Sequence, residues 1–489
     1  MPDQTGFESR LTDAYDRYLA AAPTAVDPRA VAATIATRNF GTSSGWRSAF
    51  RPARRTAVLV AVVLVVLSLA VGAALVGSQV VPRPTVLPTT PPTAVPTAVA
   101  PTALPSHASG YRGAFAPAAD MAISRRDAIV VTLADGRVLI AAGQDGTGGR
   151  SDVPAEVLDP ATGRSTTIAL DAPTGWGGGS GVLMHDGRVL IIVHDNNLTS
   201  SFASIFDPAT MTFHRLPQRG YSNAPVFGVN PTLALLHDGR VLVAGGLADV
   251  YESRLLATAQ LFDPATETFT PTGPMAVARW RHSMTTLPDG RVLVAGGEGR
   301  ADISEPGGGR IPPDHRGDAE IYDPKAGMFS PTGAMLQVRG PTLAVPLTDG
   351  RVVVLPCLGL SSETILLEFG EPALYDPSSP VPVEVYDPTT GTFSSSGTTP
   401  GIAASATLLR SGRILVTGVV GRPASGETLG TWAAVYDPLS GQSETTASPR
   451  ALFAAPAPLR DGRVLFVGGG LPTSNQWRPD PVHWVEIFN

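Results

Sequence analysis

The chain has 489 residues, 52 of them glycine and 46 proline, with a net charge of −6 and a pI near 5.8. That balance offers no general basic field for phosphate backbones, which excludes nucleic acid as a partner. A single cysteine, Cys357, excludes intrachain disulfides, CxxC redox chemistry and cysteine-based zinc sites.

Residues 1–55 are polar enough to be soluble. Phe7, Leu11, Tyr15, Tyr18, Leu19 and Ala22 recur at three- and four-residue steps, and Asp27-Pro28 resembles an N-cap followed by proline, so two short helices are predicted. Residues 56–78 then form an uncharged apolar run, TAVLVAVVLVVLSLAVGAALVG and one serine, long enough to cross the ~30 Å hydrocarbon core as a helix. More than fifty residues precede it, unlike a cleaved secretory signal, so it reads as a retained signal anchor. Arg47, Arg51, Arg54 and Arg55 crowd its N-terminal side, which places the N-terminus in the cytoplasm and all that follows outside. Residues 79–109 are a Pro/Thr/Ala-rich linker, a polyproline spacer that cannot bury a core.

Residues 110–489 carry repeats. Seven segments join two apolar runs by a turn: LADGRVLI, MHDGRVLI, LHDGRVLV, LPDGRVLV, LTDGRVVV, LRSGRILV and LRDGRVLF. Their turn residues are Asp135, Asp186, Asp238, Asp289, Asp349, Ser411 and Asp461. Asp-Gly tolerates the positive φ angles of a type I′ turn, so each predicts a tight hairpin. A second motif follows six of them, VLDPATG in the first and VYDPLSG in the last, with Asp159, Asp207, Asp263, Asp323, Asp387 and Asp437 leading the turn. A short strand such as TFTPTG comes next. Each period therefore holds four antiparallel strands, and periods of 50 to 62 residues mean propeller blades.

The last repeat stops at Glu486-Ile487-Phe488-Asn489, one strand short, while GAFAPAADMAISR before the first hairpin parallels ETFTPTGPMAVAR. The expected fold is all-β: a seven-bladed propeller closed by an N-terminal outer strand, which removes open sheet edges at the seam. GRVLVAGG followed by AEIYDPxxGxF and PTGxM resembles bacterial kelch repeats, the type that builds the propeller of galactose oxidase. The double glycine stands at Gly245-Gly246, Gly296-Gly297 and Gly468-Gly469, and is altered at Ala142-Gly143 and Thr417-Gly418.

With strands lettered A to D from the channel outward, the Asp-Gly (A–B) and Asp-Pro (C–D) turns share one face, and the B–C and D–A loops share the other. The long insertions fall in B–C loops, at residues 297–318 of blade four and 357–381 of blade five. Long loops on a rigid scaffold are where binding usually resides.

On that face Arg125, Arg279 and Arg339 each lie ten residues before a turn aspartate, as candidate ligands for carboxylate, sulfate or sugar hydroxyls or as structural braces. Trp280 and His282 beside Arg279, with Trp176 in a related position, add an aromatic platform or inward-packed indoles. The apolar blade-five insertion, with Leu360, Ile365, Leu366, Leu367 and Phe369, is a candidate partner-binding loop. The oxidase resemblance implies a copper centre of two tyrosines, two histidines and a cysteine joined to tyrosine. Only His194, His282, His315 and His483 are placed for it, with no matching Tyr/Cys signature, so no metal, cofactor or catalytic residue is expected. Acidic loop residues such as Glu298 and Glu363 keep a carbohydrate-active enzyme as an alternative.

The expected function is thus a membrane-anchored extracytoplasmic propeller that binds a cell-envelope glycan or protein without catalysis. The alternatives are a carbohydrate-active or copper-oxidase-like envelope enzyme, and a transmembrane signalling protein whose residues 1–55 engage a cytoplasmic partner.

Overall fold

A computed structural model describes residues 113–489, apart from loop residues 146–152, 170–175, 196–200, 218–227, 250–253, 300–302, 305–309, 312–315, 338–339, 358–379, 421–429 and 474–475. The predicted cytoplasmic helices, membrane span and linker lie outside the described residues. Pro105–Asn489 form one compact unit.

Among the described residues six four-stranded antiparallel sheets follow one another along the chain, and a seventh joins four strands in the same order from its two ends, with one short extra strand paired to it. Blade one runs Ile129–Thr132, Val138–Ala141, Ala155–Asp159 and Arg164–Ile168; blade four runs Ser283–Thr286, Val292–Ala295, Ala319–Asp323 and Met328–Pro331. The innermost strands neighbour each other in cyclic order, and that of blade seven, Ala455–Pro458, lies against that of blade one. The ring is closed. This is a kelch-type seven-bladed β-propeller.

Each B strand is apolar at nearly every position because both faces of a blade pack on neighbours, and VLIA, VLVA and VLFV are buried throughout. The core is correspondingly a set of layers between blades. Ile129, Leu139 and Val157 of blade one meet Val189, Ile191 and Phe202 of blade two. Leu409, Leu415 and Val435 of blade six meet Val464, Phe466 and Phe488 of blade seven.

The outer strand of blade seven is Phe115–Arg125, which pairs antiparallel with Gln476–Phe488 in the register Phe115↔Phe488 through Arg125↔Val482. The seam repeats the chemistry of the other blades. Phe115 stacks on Phe488 with ring centroids 5.1 Å apart, as Phe269 stacks on Phe262 at 4.8 Å. Phe115→Ala removes that pair from a half-buried site, with an expected loss of about 2–3 kcal/mol in urea unfolding. Thr445→Ala, at an exposed position of the blade-six outer strand Gln442–Thr446, is the matched surface comparison.

The Asp-Gly turns differ from the predicted type I′ geometry. In every one the glycine alone has positive φ, from 79° at Gly412 to 97° at Gly462, and its N–H donates to the carbonyl three residues earlier, as Gly136 does to Leu133 at 3.0 Å. This is a type I turn closed by a left-handed glycine, a three-residue hairpin with a G1 bulge. The aspartate has a different task from adopting positive φ. Asp135 accepts the Arg137 backbone N–H on Oδ1 and the Arg137 Nε on Oδ2, at 3.0 and 2.7 Å. Burial works to raise the Asp135 carboxyl, and the bonds from Arg137 outweigh it and hold it below the usual carboxylate range.

The arginine ends reach the next blade. Arg137 Nη2 donates to the Pro208 carbonyl at 3.0 Å and Arg188 Nη2 to the Pro264 carbonyl at 2.7 Å. The Asp-Gly and Asp-Pro turns thus share one face, here called the turn face. The B–C and D–A loops share the other, the long-loop face.

Candidate functional site

The D–A loops bring the chain to the long-loop face in a repeated form. Arg126 pairs with Gln144, Val229 with Leu247, Trp280 with Glu298, and Leu452 with Gly470, as isolated antiparallel bridges at matching positions in blades one, three, four and seven. The next residue in each case is Asp127, Asn230, Arg281 or Phe453, and all four are left-handed, with φ between 51° and 57°. That conformation costs a non-glycine residue about 1–2 kcal/mol. Four unlike side chains therefore stand on a common, strained backbone around one face.

Below this layer the repeat arginines are inside the protein. Arg125 is 0% exposed and donates to Glu156 at 2.6 Å, to the Pro154 carbonyl at 2.9 Å and to the Ala142 carbonyl. Arg279 is likewise 0% exposed. It donates to Glu320 from Nη2 at 3.0 Å, to the Gly296 and Asp318 carbonyls at 3.0 Å, and to the Asp318 carboxylate at 2.6 Å. Each guanidinium braces a D–A loop against the B–C loop of the same repeat. Arg339, the third of the series, lies outside the described residues.

The buried glutamates were not singled out by the sequence reading. Glu156, Glu320, Glu384 and Glu486 sit in C strands, and each accepts a backbone N–H from the D–A loop: Ala122, Ala276, Leu336 and Arg450, all at 2.7 Å. The available signal was a carboxylate inside an otherwise apolar strand, as in AEVLD, AEIYD and VEVYD.

Trp280 and His282 lie just before blade four, each against the Gly245–Leu247 segment of blade three. Trp280 packs with Val229, Leu247 and Leu255. A Cβ added to Gly245 would sit 2.6 Å from His282 Cε1, so glycine is needed for the imidazole to approach. His282 is 4% exposed, and neither ring nitrogen has a hydrogen-bond partner; the buried Trp280 Nε1 has none either. Burial, with a smaller contribution from the Arg279 charge, pushes the imidazole from 6.5 down to about 3, so it is neutral near pH 7. The Arg281 guanidinium lies 3.9 Å from the Trp280 ring centroid and donates to the buried Glu298 at 3.2 Å. The segment thus holds an indole N–H donor, stacked under a guanidinium, and a neutral imidazole that can donate and accept, neither ring with a hydrogen-bond partner.

Trp176 opens the innermost strand of blade two, its backbone paired with Asp195. It is in a different blade from Trp280. Leu360, Ile365, Leu366, Leu367 and Phe369 lie outside the described residues.

No protein-family profile matches the chain, and no curated protein matches it in sequence. Among solved structures it resembles a novel fungal alcohol oxidase with catalytic diversity among the AA5 family, in complex with copper. The TM-score is 0.55 at 15% identity, over 77% of this chain and 76% of that one. The likeness is one of fold.

The copper in that structure prompts a test of the donor set here. Among the described residues no three His, Cys, Asp or Glu side chains gather as a metal-binding group. His194 lies in the second strand of blade two, Val189–Asp195, and His282 just before the first strand of blade four, Ser283–Thr286. Tyr322 and Tyr386 use their hydroxyls on Thr272 and Thr332, each at 2.8 Å. The described residues do not fit a copper centre.

Proposed function

We propose that the protein is a membrane-anchored recognition module whose long-loop face binds a cell-envelope glycan or protein. The observation that carries this reading is the segment at the start of blade four: Trp280 and His282 each carry buried side-chain nitrogens without a partner, and between them Arg281 is held in left-handed conformation. Desolvated polar groups without partners are costly to the fold by itself. They are offset when a ligand satisfies them.

Asp-Pro turns deliver the chain to each outer strand on the turn face, so Phe115 starts there and Arg125 ends at the long-loop face.

A thermal-shift panel of envelope polysaccharides and envelope protein extracts tests the reading, because a ligand of the native state raises its melting temperature. The expected result is a saturable rise that falls at least tenfold in apparent affinity in Trp280→Ala. A rise indifferent to Trp280→Ala and Arg281→Gly, or none with any ligand, counts against it.

A further inference from the structure

Six of the seven hairpin turns, the Asp-Gly ones, treat their arginine alike. The aspartate takes its backbone N–H and its Nε, as in Asp186–Arg188 at 3.0 and 2.9 Å and Asp461–Arg463 at 3.0 and 2.8 Å. In blades one and two the guanidinium tip is seen to continue to the Asp-Pro turn of the next blade.

Blade six departs on both counts. Ser411 occupies the aspartate position, so the carboxylate is missing, and what remains is a 3.4 Å bond from the Arg413 backbone N–H to Ser411 Oγ. Blade seven has no Asp-Pro turn to receive the tip, because its outer strand is Phe115–Arg125. Arg413 is nonetheless 7% exposed, and its Nε is buried without a partner. Glu444 stands 3.8 Å from Nη1, an ion pair beyond hydrogen-bond reach, and is itself 43% exposed.

A second arginine points at the same seam. Arg410 is exposed, and its stem lies over the next turn, where a Cβ on Gly462 would sit 2.7 Å from Arg410 Cδ. The hydrogen bonds of the neighbouring carboxylates go elsewhere: Asp461 holds Arg463 and feels Arg410 only through space, and Asp437 Oδ1 accepts the Leu439 N–H at 2.9 Å.

We propose that the seam between blades six and seven on the turn face is an oxyanion site, in which Arg413 and Arg410 take a phosphate group in place of the missing carboxylate. A buried guanidinium without its carboxylate favours a ligand with two or more acceptor oxygens and a negative charge, and phosphate supplies both. The chain joins the propeller on this face. The phosphate diester of an anionic lipid, available to a chain anchored as proposed above, is one source of such a group; inorganic phosphate is the other.

The experiment uses the full chain in detergent micelles and then in nanodiscs of phosphatidylglycerol or phosphatidylcholine, comparing wild type with Ser411→Asp and Arg410→Ala. Ser411→Asp restores the turn's own carboxylate. It is expected to raise the melting temperature without phosphate and to abolish the saturable rise that inorganic phosphate, at matched ionic strength, gives the wild type. Arg410→Ala, at an exposed position, is expected to weaken phosphate about tenfold, or ~1.4 kcal/mol. A higher melting temperature in phosphatidylglycerol than in phosphatidylcholine, absent in Ser411→Asp, identifies the lipid source. A phosphate response without that lipid difference identifies the free ion. A phosphate response equal in wild type and Ser411→Asp, or none in either setting, overturns the proposal. Failure of the chain to incorporate into nanodiscs removes the anchoring reading and leaves the phosphate measurement in solution to decide the site.

Discussion

Glu320→Ala is expected to destabilise the propeller by about 3–5 kcal/mol, because it strands a fully buried guanidinium. Arg279 keeps the Gly296 and Asp318 carbonyls and the Asp318 carboxylate, but Asp318 is 43% exposed and lies at the edge of the cluster. The Ala276 N–H loses its acceptor in the same step. The effect should therefore exceed that of an ordinary lost hydrogen bond, ~1 kcal/mol. Urea unfolding reads it directly. Glu444→Ala, which removes a carboxylate 3.8 Å from Arg413 at an exposed position, should change stability by less than about 0.5 kcal/mol. Replacing both partners, as Arg279→Met with Glu320→Leu, should recover most of the loss, since the charge is then absent. A Glu320→Ala loss below ~1 kcal/mol would show that Asp318 alone sustains Arg279.

His282 should make the fold acid-labile well above the range where carboxylates protonate. Its imidazole titrates at 6.5 when unfolded and at about 3 in the folded protein. Below pH 6.5 the unfolded chain takes up a proton that the folded chain refuses, so stability is full above that pH. It falls by ~1.4 kcal/mol per unit toward pH 3, roughly 5 kcal/mol over the window. Asp135, Asp238, Asp289, Asp349 and Asp461 in the hairpin turns are held below the usual carboxylate range. Their contribution is lost only as pH falls below ~3.9, so measurements between pH 6 and 4.5 isolate the histidine. Urea unfolding at pH 7, 6, 5 and 4.5 should show the slope in wild type and a flat line in His282→Gln. Parallel slopes in the two proteins would place the titrating group elsewhere.

The architecture was legible because its signals are periodic. The hairpin glycines, the Asp-Pro turns and the unfinished last repeat each report a strand boundary, and Phe115 could be aligned with Phe269 before its partner Phe488 was seen. The turn type was misassigned because type I′ turns and G1-bulge hairpins both want glycine at a left-handed position. They differ in whether the preceding residue is left-handed too, which Asp tolerates in either case. Spacing found Arg125 and Arg279 as equivalent residues but not their partners, since Glu156 and Glu320 are thirty to forty residues away and register across three strands brings them together. Arg281 carries no sequence mark of its backbone conformation. That angle is imposed by the bridge between Trp280 and Glu298, a contact between two loops.

The pairing of Phe115 with Phe488 also orders events during synthesis. The outer strand of blade seven leaves the ribosome first among the strands of the propeller and meets its partner last, after all the other blades have been made. Until then it is an unpaired edge, and blade seven stays open on one side. Closing a loop of that length carries the largest chain-entropy cost in the molecule, though the cost grows only logarithmically. Ring closure is thus the late and slow step, as non-local strand pairing generally is. Whatever shields Phe115–Arg125 in the interval governs how much of the protein reaches its closed form.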